Sequence, residues 1–110
     1  MNITFKKEFS FPKLLSIKGQ TLRFDFAVFD KENKLVCLIE CQGQQHYKPI
    51  EQFGGEAQFL IQKENDEKKR NFCKEENIIL IEIPYWDYPI INESYLKEKF
   101  LINNCKMEEN

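Results

Sequence analysis

The length, composition and charge of the chain are those of one globular domain. It has 110 residues, of which 42% are hydrophobic and 31% charged, and this balance excludes an intrinsically disordered chain. No apolar run approaches the roughly 18 residues of a membrane-spanning helix, and the first residues show no signal-peptide pattern, so we expect a cytoplasmic, intracellular protein without membrane contact. A net charge of −2 argues against tight non-specific binding of nucleic acid but leaves a local basic surface open.

The first half of the chain predicts strands. Residues 5–11 are aromatic and stop at Pro12, as an edge strand or an ordered arm would. Thr21–Phe29 alternates between faces, and Leu35–Gln42 returns after the polar turn DKENK, so the two form a hairpin. The alternation places four apolar side chains of the first hairpin strand on one face: Leu22, Phe24, Phe26 and Val28.

The second half predicts helix, strand and helix. Residues 44–55 read as a loop, because Pro49 and the pair Gly54-Gly55 punctuate them. Residues 56–76 have helical spacing up to a stop at Asn77, residues 78–83 (IILIEI) form a buried strand, and Asn92 can cap a helix over 93–102. One stripe of the first helix contains Phe59, Lys63, Asp66, Arg70 and Cys73.

This element order predicts a single domain over residues 1–110 with an α/β fold, in which a mixed β-sheet is flanked by helices. The cysteines lack the spacing of a zinc site or a redox pair, so we expect free, buried thiols. They are Cys37, Cys41, Cys73 and Cys105.

A group of polar side chains ends the hairpin. Glu40 and Gln42 are two apart on one strand and leave the same face, and Asp25 lies about as far from the DKENK turn as Glu40 does, so antiparallel pairing brings the two carboxylates together. They would repel unless a positive group lies between them, and hard oxygen ligands suit Mg²⁺ or Mn²⁺. The plainer alternative is that Asp25 pairs with Arg23 on an exposed sheet face.

Five motifs in order extend this pattern. They are Phe24-Asp25-Phe26, residues 39–47 (IECQGQQHY), Phe53-Gly54-Gly55, Asp66 with Lys69, and Ile83-Pro84-Tyr85. Their order and spacing, over about residues 22–96, resemble the PD-(D/E)xK nuclease superfamily, and within it the small phage and viral nuclease domains related to very short patch repair endonucleases. The resemblance implies a restriction-endonuclease-like core and hydrolysis of a phosphodiester by a metal-activated water.

The resemblance implies a role for each matching residue. The metal ligands would be Asp25, Glu40 and the backbone carbonyl of Cys41. The catalytic residues would be Asp25, Glu40, Gln42, His46 and Lys69. Gln42 stands where the superfamily has a lysine and Lys69 would replace that lysine, while His46 would serve as acid, base or phosphate contact. The nucleic-acid contacts would be Arg23, Gln45, Tyr47, Asp66 and Arg70.

The chain departs from the family pattern at its start. Relatives begin with a helix that often contributes a glutamate, whereas Glu8 is the only acidic residue among the first twenty here. The first interpretation is a Mg²⁺-dependent (or Mn²⁺-dependent) endonuclease that acts on DNA, as a homodimer that covers exposed sheet. The alternative is an inactive nuclease-fold binding protein of a phage or mobile element, which inhibits a host nucleic-acid-processing or defence complex. A remnant of a larger split nuclease is a third interpretation.

Several local patterns have two interpretations. Asp66 and Lys69 have the spacing of an ordinary helix ion pair, and the Gly54-Gly55 pair fits turn geometry better than a phosphate loop. Residues 85–88 carry Tyr85, Trp86 and Tyr88, which could stack on bases or pack around the neighbouring prolines.

Overall fold

Four strands and two helices make up the part of the chain that the structure describes. This structure, a computed structural model, describes the backbone of residues 3–109 and the side chains of residues 3–52 and 54–102. The strands are β1 (Thr4–Leu15), β2 (Thr21–Phe29), β3 (Leu35–Gln42) and β4 (Ile79–Pro84), and the helices are α1 (Gly55–Glu75) and α2 (Glu93–Glu109). Short 3-10 turns occur at Gln44–His46, Glu51–Phe53 and Tyr85–Ile90.

The strands form one mixed sheet in the order β1-β2-β3-β4. The first three pair antiparallel, whereas β3 and β4 pair parallel because the chain crosses between them through α1. The prediction of a mixed α/β fold is confirmed. Neither helix, over the described residues, is long and apolar enough to cross a membrane.

The sheet has a hydrophobic core on each face. One core lies beneath α1 and joins Phe24, Leu38 and Ala27 to Phe72 and Cys73 of the helix. The other lies beneath α2 and contains Cys37, Ile39, Ile79, Ile81 and Ile83, with Tyr95, Leu96 and Phe100 packed against it. Because both faces are covered, β3 is buried almost throughout, and a polar side chain on it needs a partner.

The predicted alternation of β2 is wrong. Leu22 and Phe24 pack beneath α1, but Phe26 and Val28 pack on the other core, so the side chains change face within the strand. The change falls at Asp25, where the regular pairing of β2 with β3 ends at Phe26↔Ile39. Alternation is lost there because side chains replace the backbone hydrogen bonds of the ladder, as described below.

The segment before β2 is an edge strand, as predicted, but the predicted stop at Pro12 is wrong because the strand continues to Leu15. β1 pairs with β2 from Thr4↔Phe29 to Leu15↔Thr21. Glu8 lies opposite the position at which β2 changes face, and its φ of 53° is in the left-handed region. Lysines and Pro12 along β1 discourage pairing with another strand.

Hydrogen bonds confirm the predicted end of α1 and start of α2, whereas the predicted end of α2 at residue 102 is wrong because the helix continues to Glu109. Asn77 has a φ of 56°, and the Ile78 N–H donates to the Cys73 carbonyl across the end of α1. The Asn92 side chain accepts the Tyr95 N–H at 2.8 Å and caps α2.

The buried stripe of α1 differs from the predicted one. It consists of Asp66, Lys69, Phe72 and Cys73, while Lys63 and Arg70 are exposed. The charged members can be buried because each has a partner: Lys69 bonds to Glu40 on β3, and Asp66 bonds to His46 in the turn after β3.

The described cysteines are free thiols, as predicted. Burial raises the pKa of Cys37 to about 11 and that of Cys73 to about 12, so neither is a reactive thiolate. Cys41 is half-buried, and Cys105 lies outside the described side chains.

Candidate active site

Asp25 and Glu40 meet where β2 and β3 separate. The Asp25 N–H donates to Glu40 Oε1 at 3.1 Å, and the Cys41 N–H donates to Asp25 Oδ2 at 2.7 Å. Glu40 on β3 therefore accepts a hydrogen bond from the backbone of β2, and Asp25 on β2 accepts one from the backbone of β3. In a regular ladder, backbone carbonyls would be the acceptors at these positions. The predicted proximity of the two carboxylates is confirmed.

Glu40 is buried, and among the described residues Lys69 is its one counter-ion. Only 5% of the residue is exposed, and Lys69 Nζ donates to Glu40 Oε2 at 3.2 Å. The pKa of Glu40 is raised to about 7, chiefly by burial and also by the charge of Asp25, against the opposing effect of Lys69. One lysine thus leaves this carboxylate pair with negative charge that is only partly neutralised.

The donor atoms at this position fit a divalent cation. Asp25 Oδ1 has no hydrogen-bond partner among the described residues and is open to solvent. The Cys41 carbonyl faces the same edge, because the N–H and C=O of a strand residue point to one neighbour and this N–H points to Asp25. Oxygen donors of this kind suit Mg²⁺ or Mn²⁺. Within the described residues no group of three His, Cys, Asp or Glu side chains converges, so water or substrate would complete such a shell.

A cleft of about 320 Å³ opens beside Asp25, between β2 and the buried side of α1. Its polar lining includes Glu8, Arg23, Asp25, Asn65 and Lys69. Asn65 Oδ1 is buried there without a hydrogen-bond partner among the described residues.

Gln42 is fully engaged inside the protein. The residue is 4% exposed; its Oε1 accepts the Tyr47 hydroxyl at 2.7 Å, and its Nε2 donates to Glu82. Glu82 in turn accepts both Nε and Nη2 of Arg70 at 2.7 Å. Gln42 therefore connects the loop after β3 to β4 and α1.

His46 and Asp66 form a second buried pair. His46 Nδ1 lies 2.9 Å from Asp66 Oδ2, and the two side chains are 9% and 6% exposed. Gln62, one turn earlier on α1, donates to Asp66 Oδ1 at 3.0 Å. Asp66 and Lys69 are three residues apart on one side of α1. The helix therefore contacts His46 through Asp66 and Glu40 through Lys69.

The predicted nucleic-acid contacts have different surroundings. Arg23 is exposed and only 3.8 Å from the carboxylate of Glu8, while Arg70 is half-exposed and paired with Glu82. Tyr47 is 38% exposed and packs against Trp86 with ring centroids 4.8 Å apart, and Gln45 is half-buried. Asp66, by contrast, is buried with both oxygens bonded.

Two residues of this region did not emerge from the sequence, Gln62 and Glu82. Glu82 carried a usable signal, since it is a lone charge within the apolar run IILIEI, the same feature that distinguishes Glu40. Gln62 carried none, because polar residues on a helix are usual. Glu8, the only acidic residue of the first twenty, lies in the lining of the cleft.

The described geometry defines a class of site, a paired-carboxylate centre at the divergence of two strands, with a lysine and a histidine held by one helix.

No protein-family model matches the chain, and no solved structure matches it. The chain is similar to "Uncharacterized protein 307L" of Invertebrate iridescent virus 6, with 37% identity over 91 residues. Those residues are 80% of this chain and 46% of that protein, so the chain spans about half the length of this relative.

Proposed function

We propose that this protein is a Mg²⁺- or Mn²⁺-dependent nuclease that hydrolyses phosphodiester bonds of DNA. The observation that supports the proposal most is the Asp25–Glu40 pair. Two carboxylates approach each other at the end of a sheet, one of them buried with a pKa raised to about 7. A buried Glu40 beside a second carboxylate is costly to maintain with one lysine among the described residues, and a divalent cation that lowers this cost gives a reason for the pair.

The resemblance to PD-(D/E)xK nucleases and the likeness to a viral protein agree with this proposal. Such an enzyme would act on DNA inside an infected cell, and we accordingly propose a cytoplasmic location. The chain covers only about half of the relative's length, so further substrate contacts and partners belong to the proposal as well.

Each site residue then has a defined task. When bound, the cation would activate water and stabilise charge on the phosphate. Asp25 Oδ1 and the Cys41 carbonyl would hold it at the mouth of the cleft, and Glu40 would complete the ligands. Lys69, which donates to Glu40, would place its positive charge near the phosphate in the way the motif lysine does in related enzymes. His46 would accept the proton of the attacking water through its open nitrogen, Nε2.

Gln42 has a supporting task in this proposal. Both polar atoms of its amide are already bonded, to Tyr47 and to Glu82. It would therefore position the loop that carries His46 and leave the charge stabilisation to Lys69.

The test is cleavage by the purified protein. Plasmid, linear duplex and single-stranded DNA are incubated with Mg²⁺ or Mn²⁺, and Glu40→Ala is compared with Glu32→Gln, which changes an exposed carboxylate in the β2–β3 turn. The proposal expects cleavage by the wild type and Glu32→Gln, and none by Glu40→Ala. No cleavage by a folded wild-type protein with either metal would refute the nuclease proposal.

An inactive nuclease-fold binding protein is the second candidate. Lys69 already neutralises part of the charge on Glu40, and Gln42 replaces the motif lysine with a neutral, fully bonded amide. Both features suit a site that has lost its reaction. This candidate expects no cleavage, no divalent-cation binding and the same partner affinity in the wild type and in Glu40→Ala.

A further inference from the structure

The contacts of the His46–Asp66 pair determine which ring nitrogen of His46 carries the proton. Asp66 Oδ2 lies 2.9 Å from His46 Nδ1, and an ionised carboxylate only accepts hydrogen bonds. Nδ1 must therefore carry a proton, and in neutral imidazole the other nitrogen, Nε2, is then unprotonated. Nε2 has no hydrogen-bond partner among the described residues, and the side chain is 9% exposed. The pair thus leaves the lone pair of Nε2 available to accept a proton.

Both ends of the pair are fixed. Gln62 holds the second oxygen of Asp66 at 3.0 Å, which prevents the carboxylate from rotating. The backbone of His46 is held in its turn, because its N–H donates to the Gly43 carbonyl at 3.1 Å and the next N–H, of Tyr47, donates to Gln44 at 3.0 Å. The ring therefore has one orientation, with Nδ1 inward and Nε2 outward.

We propose that Asp66 is a positioning residue that fixes the tautomer and orientation of His46, with Gln62 as its support, and that it makes no contact with nucleic acid. This inference rests on the proposed function, because it explains how the histidine is prepared for that reaction. The Asp66 side chain is only 6% exposed and faces His46 and Gln62, so a substrate does not reach it, and its charge would repel a phosphate.

The proton step that follows is balanced. An O–H bond of the attacking water breaks, its proton moves to His46 Nε2, and the oxygen forms the new bond to phosphorus. The bond from phosphorus to the leaving oxygen breaks with its electron pair, and that oxygen takes a proton from solvent. Asp66 remains ionised and stabilises the imidazolium, which returns its proton to solvent.

Nitrogen NMR tests the tautomer directly, because His46 is the only histidine in the chain and its imidazole signals need no assignment. In the neutral imidazole of the wild type, we expect the proton on Nδ1. In Asp66→Ala the acceptor is gone, and the major tautomer should change to Nε2–H, which free imidazole prefers in water. Asp66→Asn keeps the side-chain volume in case the alanine variant fails to fold, and it should show the same loss of the Nδ1–H form because an amide can donate to Nδ1. Asn65→Ala, on the same turn of α1, is the matched control and should leave the tautomer unchanged.

Cleavage kinetics test the functional part. If the two residues act as one unit, Asp66→Asn should lower kcat by about 100-fold or more, with little change in KM. His46→Gln should do the same, and the double variant should be no slower than His46→Gln alone. Asp66→Glu, which restores a carboxylate, should recover part of kcat.

The outcomes separate this inference from the function it serves. An Nε2–H tautomer in the wild type, an unchanged tautomer in Asp66→Asn, or additive losses in the double variant would overturn the positioning role while cleavage persists. Absence of cleavage by the wild type would refute the nuclease, and the catalytic purpose of the pair with it, even where the NMR spectra show the Nδ1–H form.

Discussion

The Asp25 N–H donates to Glu40 Oε1 at 3.1 Å, while Asp25 Oδ2 accepts the backbone N–H that follows Glu40 at 2.7 Å. The two residues thereby end the β2–β3 ladder with their side chains and satisfy the backbone N–H groups of Asp25 and Cys41. This arrangement explains how two acidic residues can lie at the edge of a hydrophobic core, because each carboxylate has a structural task in addition to its charge.

The first prediction is a pH dependence of stability that belongs to Glu40. Its pKa is about 7 in the folded protein against an ordinary value of 4.5, so between these values the folded state binds more protons than the unfolded state. The stabilising contribution is complete below pH 4.5 and is lost as the pH rises to 7, by roughly 3 kcal/mol. Urea unfolding of the metal-free protein at pH 4.5 to 8 measures it.

Glu40→Gln is the comparison for that measurement, because its amide does not titrate. The difference in free energy of unfolding between wild type and variant should change with pH over this window and become constant above pH 8. Glu82→Gln, which alters the neighbouring carboxylate on β4, should keep the Glu40-dependent slope. Parallel curves for wild type and Glu40→Gln would contradict the raised pKa.

The second prediction concerns the divalent cation. A ligand that binds only the folded state raises the free energy of unfolding, by about 2.7 kcal/mol at one hundred times its Kd. We expect Mn²⁺ to raise the melting temperature of the wild type at pH 7.5, and EDTA to reverse the rise. Asp25→Asn and Glu40→Gln should remove this response, and Glu32→Gln should retain it. An equal shift in all four proteins would mean that the ion binds elsewhere.

The third prediction concerns the backbone at Glu8. A φ of 53° costs a residue with a side chain about 1 kcal/mol, and glycine avoids that cost. Glu8→Gly should therefore be more stable than Glu8→Ala by about 1 kcal/mol. At Lys7, a regular position of the same strand, the order should reverse, since glycine weakens an ordinary strand. The same order at both positions in thermal unfolding would show that Glu8 is not strained.

Local signals in the sequence predicted much of the fold. The boundary of α1 at Asn77 and the cap of α2 at Asn92 depend on side chains close in sequence, which a reader of the chain can identify. The proximity of Asp25 and Glu40 followed from counting residues back from one short turn. These features depend on few residues, so tertiary packing did not alter them.

Longer-range features could not be predicted in this way. The change of face at Asp25 depends on the hydrogen bonds of its carboxylate with β3, whereas the sequence offers only an alternating pattern that continues through it. Asp66 and Lys69 lie in the charged run NDEKKR, which is typical of a solvated helix face. Asp66 and Lys69 are nevertheless buried, because His46 and Glu40 lie against them in the fold.

The fourth prediction concerns the hydrogen bond between Tyr47 and Gln42. Tyr47→Phe removes the donor to a buried amide oxygen and should lower the free energy of unfolding by about 1 kcal/mol. Tyr85→Phe is the matched control, because Tyr85 packs against the same rings but its hydroxyl bonds to no described residue. That change should stay within about 0.5 kcal/mol of the wild type.

Glu82→Gln extends the same test to the whole network. This change removes the carboxylate that accepts hydrogen bonds from Gln42 Nε2 and from Nε and Nη2 of Arg70. The loss in free energy of unfolding should therefore exceed that of Tyr47→Phe and reach about 2 kcal/mol. Tyr47→Phe combined with Glu82→Gln should cost less than the sum of the two, since both act through Gln42. Additive losses in urea unfolding would mean that Gln42 does not couple the loop after β3 to α1, and the position of His46 would then depend on Asp66 alone.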